Sequence, residues 1–170
     1  MKFGGITMKE KKDNLRWCLR QAKGLQLSEK NQNLVEVYLR KSRSALNMLN
    51  AAIEKQEYEW ILDTSYYAKY FAIYALFMKV GIKCEIHDCT ISALKVLFVE
   101  EKLVPYDVYD ELKKSKELRI GALYYNKEFG KKQIIIRANK TADFCLKVEE
   151  IVENISEANI KKIREKIANL

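Results

Sequence analysis

Few residues in this chain have chemistry to offer. There is a single histidine, His87, in the run CEIHDC between Cys84 and Cys89. Cys-x2-His-x-Cys presents ligands of the kind zinc takes, but its spacing matches no common zinc site and no fourth ligand stands nearby. Packing thiols explain these residues better. The four cysteines (Cys18, Cys84, Cys89, Cys145) show no disulfide framework and are expected reduced. No metal or cofactor is expected. One histidine also removes most His-based mechanisms. A Gly-rich phosphate loop, an HExxH helix and a Ser or Cys nucleophile with a convincing base are all missing. The paired carboxylates Glu100-Glu101 and Glu149-Glu150 fall on charged helix faces, where solvation accounts for them.

The elements that must position these residues are helical. One proline and six glycines in 170 residues leave few chain breakers, which disfavours turn-rich β architectures. At 48% hydrophobic and 32% charged residues, the chain can bury a core of single-domain size. The net charge of +8 is unevenly spread. Residues 1–55 carry 12 basic and 5 acidic groups and residues 111–140 carry 9 and 3, whereas 56–110 carry 5 and 9. Such blocks favour an acidic partner only weakly. The longest apolar run, 70–78, lies between Lys69 and Lys79 and falls short of the ~18 residues that span a membrane. The start, MKFGGITMKEKKDN, lacks a signal peptide's apolar stretch, and Met8 is a second candidate start. A cytoplasmic chain without membrane contact is expected.

Hydrophobic periodicity predicts a first helix over about 9–22 and a second over about 28–55, opened by Ser28. The third, over about 58–80, contains SYYAKYFAIYALFMKVG. Tyr66, Tyr70 and Tyr74 recur at i, i+4 and i+8, with Tyr67, Phe71, Tyr74 and Met78 in the adjacent row. From Tyr70 onward this helix is apolar nearly all round, as expected of a central helix with its aromatics buried. Base stacking would need aromatics exposed on a basic surface instead. Gly81 should end this helix, and Asp88 or Thr90 should cap the next. A helix from Pro105, another over 134–155 and a last one opened by Ser156 complete the chain. These elements predict an all-α, antiparallel up-and-down bundle of six or seven helices without a sheet. It should be a single domain over 1–170, with an N-terminal helix within 1–27 and a C-terminal helix over 156–170.

The order of segments resembles the HEPN domain family over about 35–155. The residues carrying the likeness are YLRKSRSALNML, then LDTSYYAKYFAIYALFMKVGIKCEIH, then LFVEEKL and LRIGALYY. The branch it resembles has a YYA helix, a following Gly and His, and an R…A.Y segment that fits Arg119, Ala122 and Tyr124. The resemblance implies a helical bundle that commonly forms homodimers. Many HEPN proteins are metal-independent ribonucleases with an Arg-x4–6-His motif facing the dimer cleft. There the histidine serves as base toward an RNA 2′-hydroxyl while the arginine stabilises phosphate charge. Others are non-catalytic binding modules, often encoded beside a small nucleotidyltransferase that partners them.

Arg119 stands where the family's arginine is expected, yet no histidine follows it. Tyr124 and Tyr125 occupy the offset, and a tyrosine with a pKa of ~10 is a poor base near neutral pH. The site expected from the resemblance is therefore a binding groove made by Arg119, Tyr124, Tyr125 and Lys116, with Lys113, Lys114 and Lys127 nearby. Arg119 should face it with Tyr124 close by, the helix ending or distorting near Gly121. The bland alternative is an Arg119 paired with Glu117 or a neighbouring helix. For catalysis the candidates are Arg119, Tyr124 and His87, with His87 otherwise a helix-entry residue bonding to backbone or Asp88. The leading function is a dimerising module that binds RNA, a nucleotide or a nucleotidyltransferase partner in a toxin–antitoxin or defence-like system. A metal-independent RNA endonuclease and a structural adaptor without nucleic-acid contact are the rivals.

Overall fold

The computed structural model describes residues 8–125 and 129–170. The fold is an all-α helical bundle, built around one helix that is buried on nearly every side. Helix α1 (Met8–Arg20) turns Leu15 and Cys18 inward at i, i+3 spacing. It stops where Leu25 N–H donates to the Cys18 carbonyl, and Gly24 lies so close to that carbonyl that a Cβ there would collide with it. Helix α2 (Gln32–Lys55) is capped by Asn31, whose side chain accepts from Leu34 N–H at 3.0 Å. Its inward stripe is Val35, Leu39, Ser42, Ala45, Leu49 and Ala52.

Helix α3 (Tyr58–Val80) is the hub, packing on α2, α5, α6 and α7. Gly81 closes it at φ 78, a left-handed conformation that glycine adopts without steric cost. Arg164 of the C-terminal helix donates to the carbonyls of Val80 and Gly81, each at 3.0 Å, placing a cation at the negative end of α3.

Two differences from the sequence expectations follow from this corner. The chain is not strictly free of sheet, because β1 (Gln26–Leu27) pairs antiparallel with β2 (Ile82–Lys83). Ser28 is drawn into this pairing, its N–H donating to the Gly81 carbonyl at 2.9 Å, so α2 begins at Gln32 rather than Ser28.

Helix α4 (His87–Ala93) continues as a π-helical turn over Leu94–Val99. Neither Asp88 nor Thr90 caps it. The Thr90 hydroxyl instead donates to the Cys84 carbonyl at 2.8 Å, fastening the connection from inside. Helix α5 (Tyr106–Tyr125) matches the expected segment. The helix expected over 134–155 is two, α6 (Lys131–Ala138) and α7 (Thr141–Asn154), with buried Thr141 at the restart bonding Ser65 at 2.8 Å. Ser156 caps α8 (Glu157–Ala168) as its sequence predicts. The segment 1–7, which precedes the second candidate start Met8, and Lys127 lie outside the described residues.

The cysteines correct another expectation. Cys18 and Cys89 are joined by a disulfide that ties α1 to α4, with Cα atoms 5.7 Å apart. Cys84 and Cys145 are buried free thiols, and burial pushes Cys84 up to about 11. Among the described residues, no group of three His, Cys, Asp or Glu is gathered that would hold a metal ion. No helix of the described residues is long and apolar enough to cross a membrane.

Candidate functional site

Helix α3 presents Asp63, Tyr66, Tyr67 and Tyr70 at i, i+3, i+4 and i+7, which places all four on one face. Helix α5 brings Lys116 and Arg119 to that face, and the first residue of α4, His87, closes it. Arg119 is the centre. Its Nε donates to Oδ1 of Asp63, and its Nη2 donates to the Tyr67 hydroxyl at 3.2 Å. The guanidinium carbon lies 5.5 Å from the ring centroid of Tyr66, 4.9 Å from that of Tyr67 and 6.0 Å from that of Tyr124. A guanidinium facing three phenol rings is favourably placed for cation–π attraction. Burial works against its charge, but the hydrogen bond that it donates to Asp63 and the charges around it prevail, so the pKa of Arg119 is raised. Its side chain keeps 14% of its surface exposed, so the charge is held rigidly and remains within reach of solvent.

His87 belongs to the same cluster. Nδ1 shares a hydrogen bond with the Tyr66 hydroxyl, and the ring stacks on Tyr70 with centroids 4.3 Å apart and planes 9° apart. The Tyr67 ring meets it edge-on at 6.3 Å. Burial, then the charges of Arg119 and Lys116, push its pKa below the usual imidazole value. The ring is therefore neutral at pH 7. His87 is thus neither a residue bonding to backbone nor a partner of Asp88. Asp88 instead takes the Lys116 ammonium. Burial raises the Tyr66 hydroxyl well above its usual value, with Tyr70 adding to the effect, so it stays protonated.

The remaining expected site residues divide. Tyr124 reaches the guanidinium with its ring although α5 runs unbroken past Gly121, so no distortion of the helix is needed. It is 66% exposed and forms the outer wall. Tyr125 is exposed at the last residue of α5. Lys116 turns toward α4, while Lys113 and Lys114 pair along α5 with Glu117 and Asp110. Each of these three lysines is ion-paired, and so is Arg119, whose partner Asp63 lies on the neighbouring helix α3, as the alternative reading of that arginine expected. Asp63, Tyr66 and Tyr67 were missed as site residues. Their signal was available, since an aspartate on a helix packed against others needs a partner.

A second charged group lies further along the same two helices. Lys69, 1% exposed, donates to Glu111 and to Ser115, each at 2.8 Å, and Glu111 also accepts from Arg137 at 2.7 Å. Burial lowers the Lys69 pKa, which Glu111 only partly offsets. This group joins α3, α5 and α6 and lines a cavity of about 10 Å³, room for a water and nothing larger. Its role is structural.

Among curated proteins, none matches the sequence at a significant level. The sequence model of the HEPN domain matches residues 35–163, from the first buried turn of α2 into α8, eight residues beyond the expected limit. That span includes every residue of the Arg119 cluster, and a match over so much of the sequence means that the chain belongs to the HEPN domain family.

Proposed function

We propose that the chain is a HEPN-type binding module whose Arg119 cluster takes a phosphate of RNA or of a nucleotide. One observation carries this reading: a guanidinium that is partly exposed and held in place by Asp63 and Tyr67. Such a fork is pre-ordered for a phosphate's paired oxygens and loses little freedom on binding. The three phenol rings limit water around it without removing it from reach. In this reading the module acts as a homodimer in a toxin–antitoxin or defence-like system, beside a small nucleotidyltransferase partner and in the cytoplasm. The test is fluorescence anisotropy of a labelled single-stranded oligoribonucleotide against the wild type and Arg119→Ala. Binding that weakens about tenfold or more, with the helical circular-dichroism signal intact, supports the reading. Unchanged binding refutes it.

A second reading, RNA cleavage, is favoured by the place of His87. Its neutral imidazole shares the Tyr66 and Tyr67 rings with Arg119, and a neutral imidazole is able to take a proton from a 2′-hydroxyl. Metal-independent cleavage abolished by His87→Ala would establish it. Absence of cleavage in the wild type would leave binding as the activity.

A further inference from the structure

Tyr67 belongs to two places. Its hydroxyl accepts from Arg119, and its ring lines a groove on the outer seam of α2 and α3. The expectation that the row Tyr67, Phe71, Tyr74 and Met78 packs in the core holds: Tyr74 and Met78 are buried, and Tyr67 and Phe71 pack against the same core while keeping part of their surface exposed. Their rings lie nearly parallel, with centroids 5.6 Å apart and planes 29° apart, and form one wall of the groove. Ala45 keeps the α2 side low, and Met48, 59% exposed, stands at the far end. The Lys41 ammonium sits 5.7 Å from the Phe71 centroid. The groove has a volume of about 420 Å³, within the roughly 300–1,000 Å³ of small-ligand sites.

The charges say what would fill it. Among the described residues, no carboxylate lines the groove. Lys41 lines it beside Phe71, and Arg119, which does not line it, lies 4.9 Å from the centroid of the Tyr67 ring. Flat apolar faces flanked by cations suit an unpaired base bearing a phosphate, because every base offers a π-face and every nucleotide an anion. A base paired within a duplex has its faces already stacked and cannot enter. Met48 and Thr64 also line the next hollow along the seam, of about 330 Å³, where Trp60 is 62% exposed. A second base of the same strand would meet that ring.

We propose that this groove is a base-stacking subsite for single-stranded RNA, in which a base lodges against Tyr67 and Phe71 while its neighbouring phosphate engages Arg119. The proposal rests on the phosphate-binding reading and names its substrate class. The half of the aromatic row nearest Arg119 packs on the core yet keeps part of its surface exposed in the groove.

The experiment compares anisotropy of labelled ten-residue probes: oligouridine, oligoadenosine, an RNA duplex and an abasic ribose-phosphate strand. The wild type should bind the two base-bearing single strands about tenfold or more tighter than the duplex or the abasic strand. Met48→Glu, which places a carboxylate in the groove from an exposed position, should remove most of that preference, and Lys41→Ala should reduce it. Tyr67→Phe keeps the ring but removes the hydroxyl that holds Arg119, so it should weaken every probe while the preference for base-bearing strands remains. Equal affinity for base-bearing and abasic strands, or a preference that survives Met48→Glu, overturns the subsite. If in that case Arg119→Ala still weakens every probe, the phosphate reading stands without it. If no probe binds, both fall. A Met48→Glu variant whose mass drops from dimer to monomer by light scattering, with RNA binding lost in step, would show that a second copy covers the groove and would likewise overturn it.

Discussion

Nδ1 of His87 shares its hydrogen bond with the hydroxyl of Tyr66, whose ring also faces the Arg119 guanidinium at 5.5 Å. The first residue of α4 and the late part of α5 are therefore coupled through one residue of α3. That coupling has a pH consequence. The folded-state pKa of His87 is depressed by burial and by the charges of Arg119 and Lys116, whereas the unfolded chain titrates near the ordinary value of 6.5. The unfolded state thus binds more protons over the interval between the two. Stability is full above about pH 6.5 and declines as pH falls toward the folded pKa. An NMR titration should find His87 below 6.5, and Arg119→Ala should move it upward. A His87 that titrates at or above 6.5 would show that the ring does not feel the guanidinium.

Asp63 holds the Arg119 guanidinium in place, but its charge also repels an incoming phosphate. Asp63→Asn should destabilise the fold by about 1.5–3 kcal/mol, the range for a hydrogen bond to a charged group. It should also tighten oligonucleotide binding several-fold, because a like charge leaves the site. Urea denaturation and anisotropy read the two effects separately. If binding weakens along with stability, Asp63 helps the ligand instead of repelling it.

The buried Lys69 group predicts an asymmetry. Glu111→Gln leaves Lys69 and Arg137 without their carboxylate and should cost about 3–5 kcal/mol. Lys69→Met, similar in volume and free of a desolvation penalty, leaves Glu111 its Arg137 partner and should cost less than about 1.5 kcal/mol. Equal costs in urea melts would mean that Lys69 is not buried as charge.

The Cys18–Cys89 bond closes a span of 71 residues. Reduction should lower stability by about 2–4 kcal/mol, and Cys89→Ser should behave like the reduced protein. Unfolding curves that coincide with and without dithiothreitol, with four free thiols by mass spectrometry, would show that the bond does not form.

The fold was largely legible in the sequence because hydrophobic periodicity marks most of the helices and a few of their ends carry local markers. Asn31 and Ser156 lie at the starts of helices, and Gly81 with its positive φ stops α3. What failed to show locally was decided by tertiary partners. Ser28 reads as a cap but is claimed by the Gly81 carbonyl, and the 134–155 periodicity hides a break that Thr141 and Ser65 stabilise across helices. The Cys18–Cys89 pairing joins residues with no spacing rule between them. At the site, Arg119 was found through its segment's likeness to a family. Its partners Asp63 and Tyr67 are 56 and 52 residues away, and only folding brings them together. His87 does enter its helix as expected, but its bonding partner, Tyr66, is 21 residues away and shows in no local spacing.

The salt dependence of RNA binding tests the central claim most directly. Each phosphate contact on a single strand contributes a slope of about −0.7 in log K against log salt. Measured by anisotropy with an oligouridine between low and physiological salt, Arg119→Ala should flatten the wild-type slope by about 0.7 while weakening affinity at every salt concentration. A slope and affinity identical to the wild type would contradict the account, since Arg119 would then touch no phosphate.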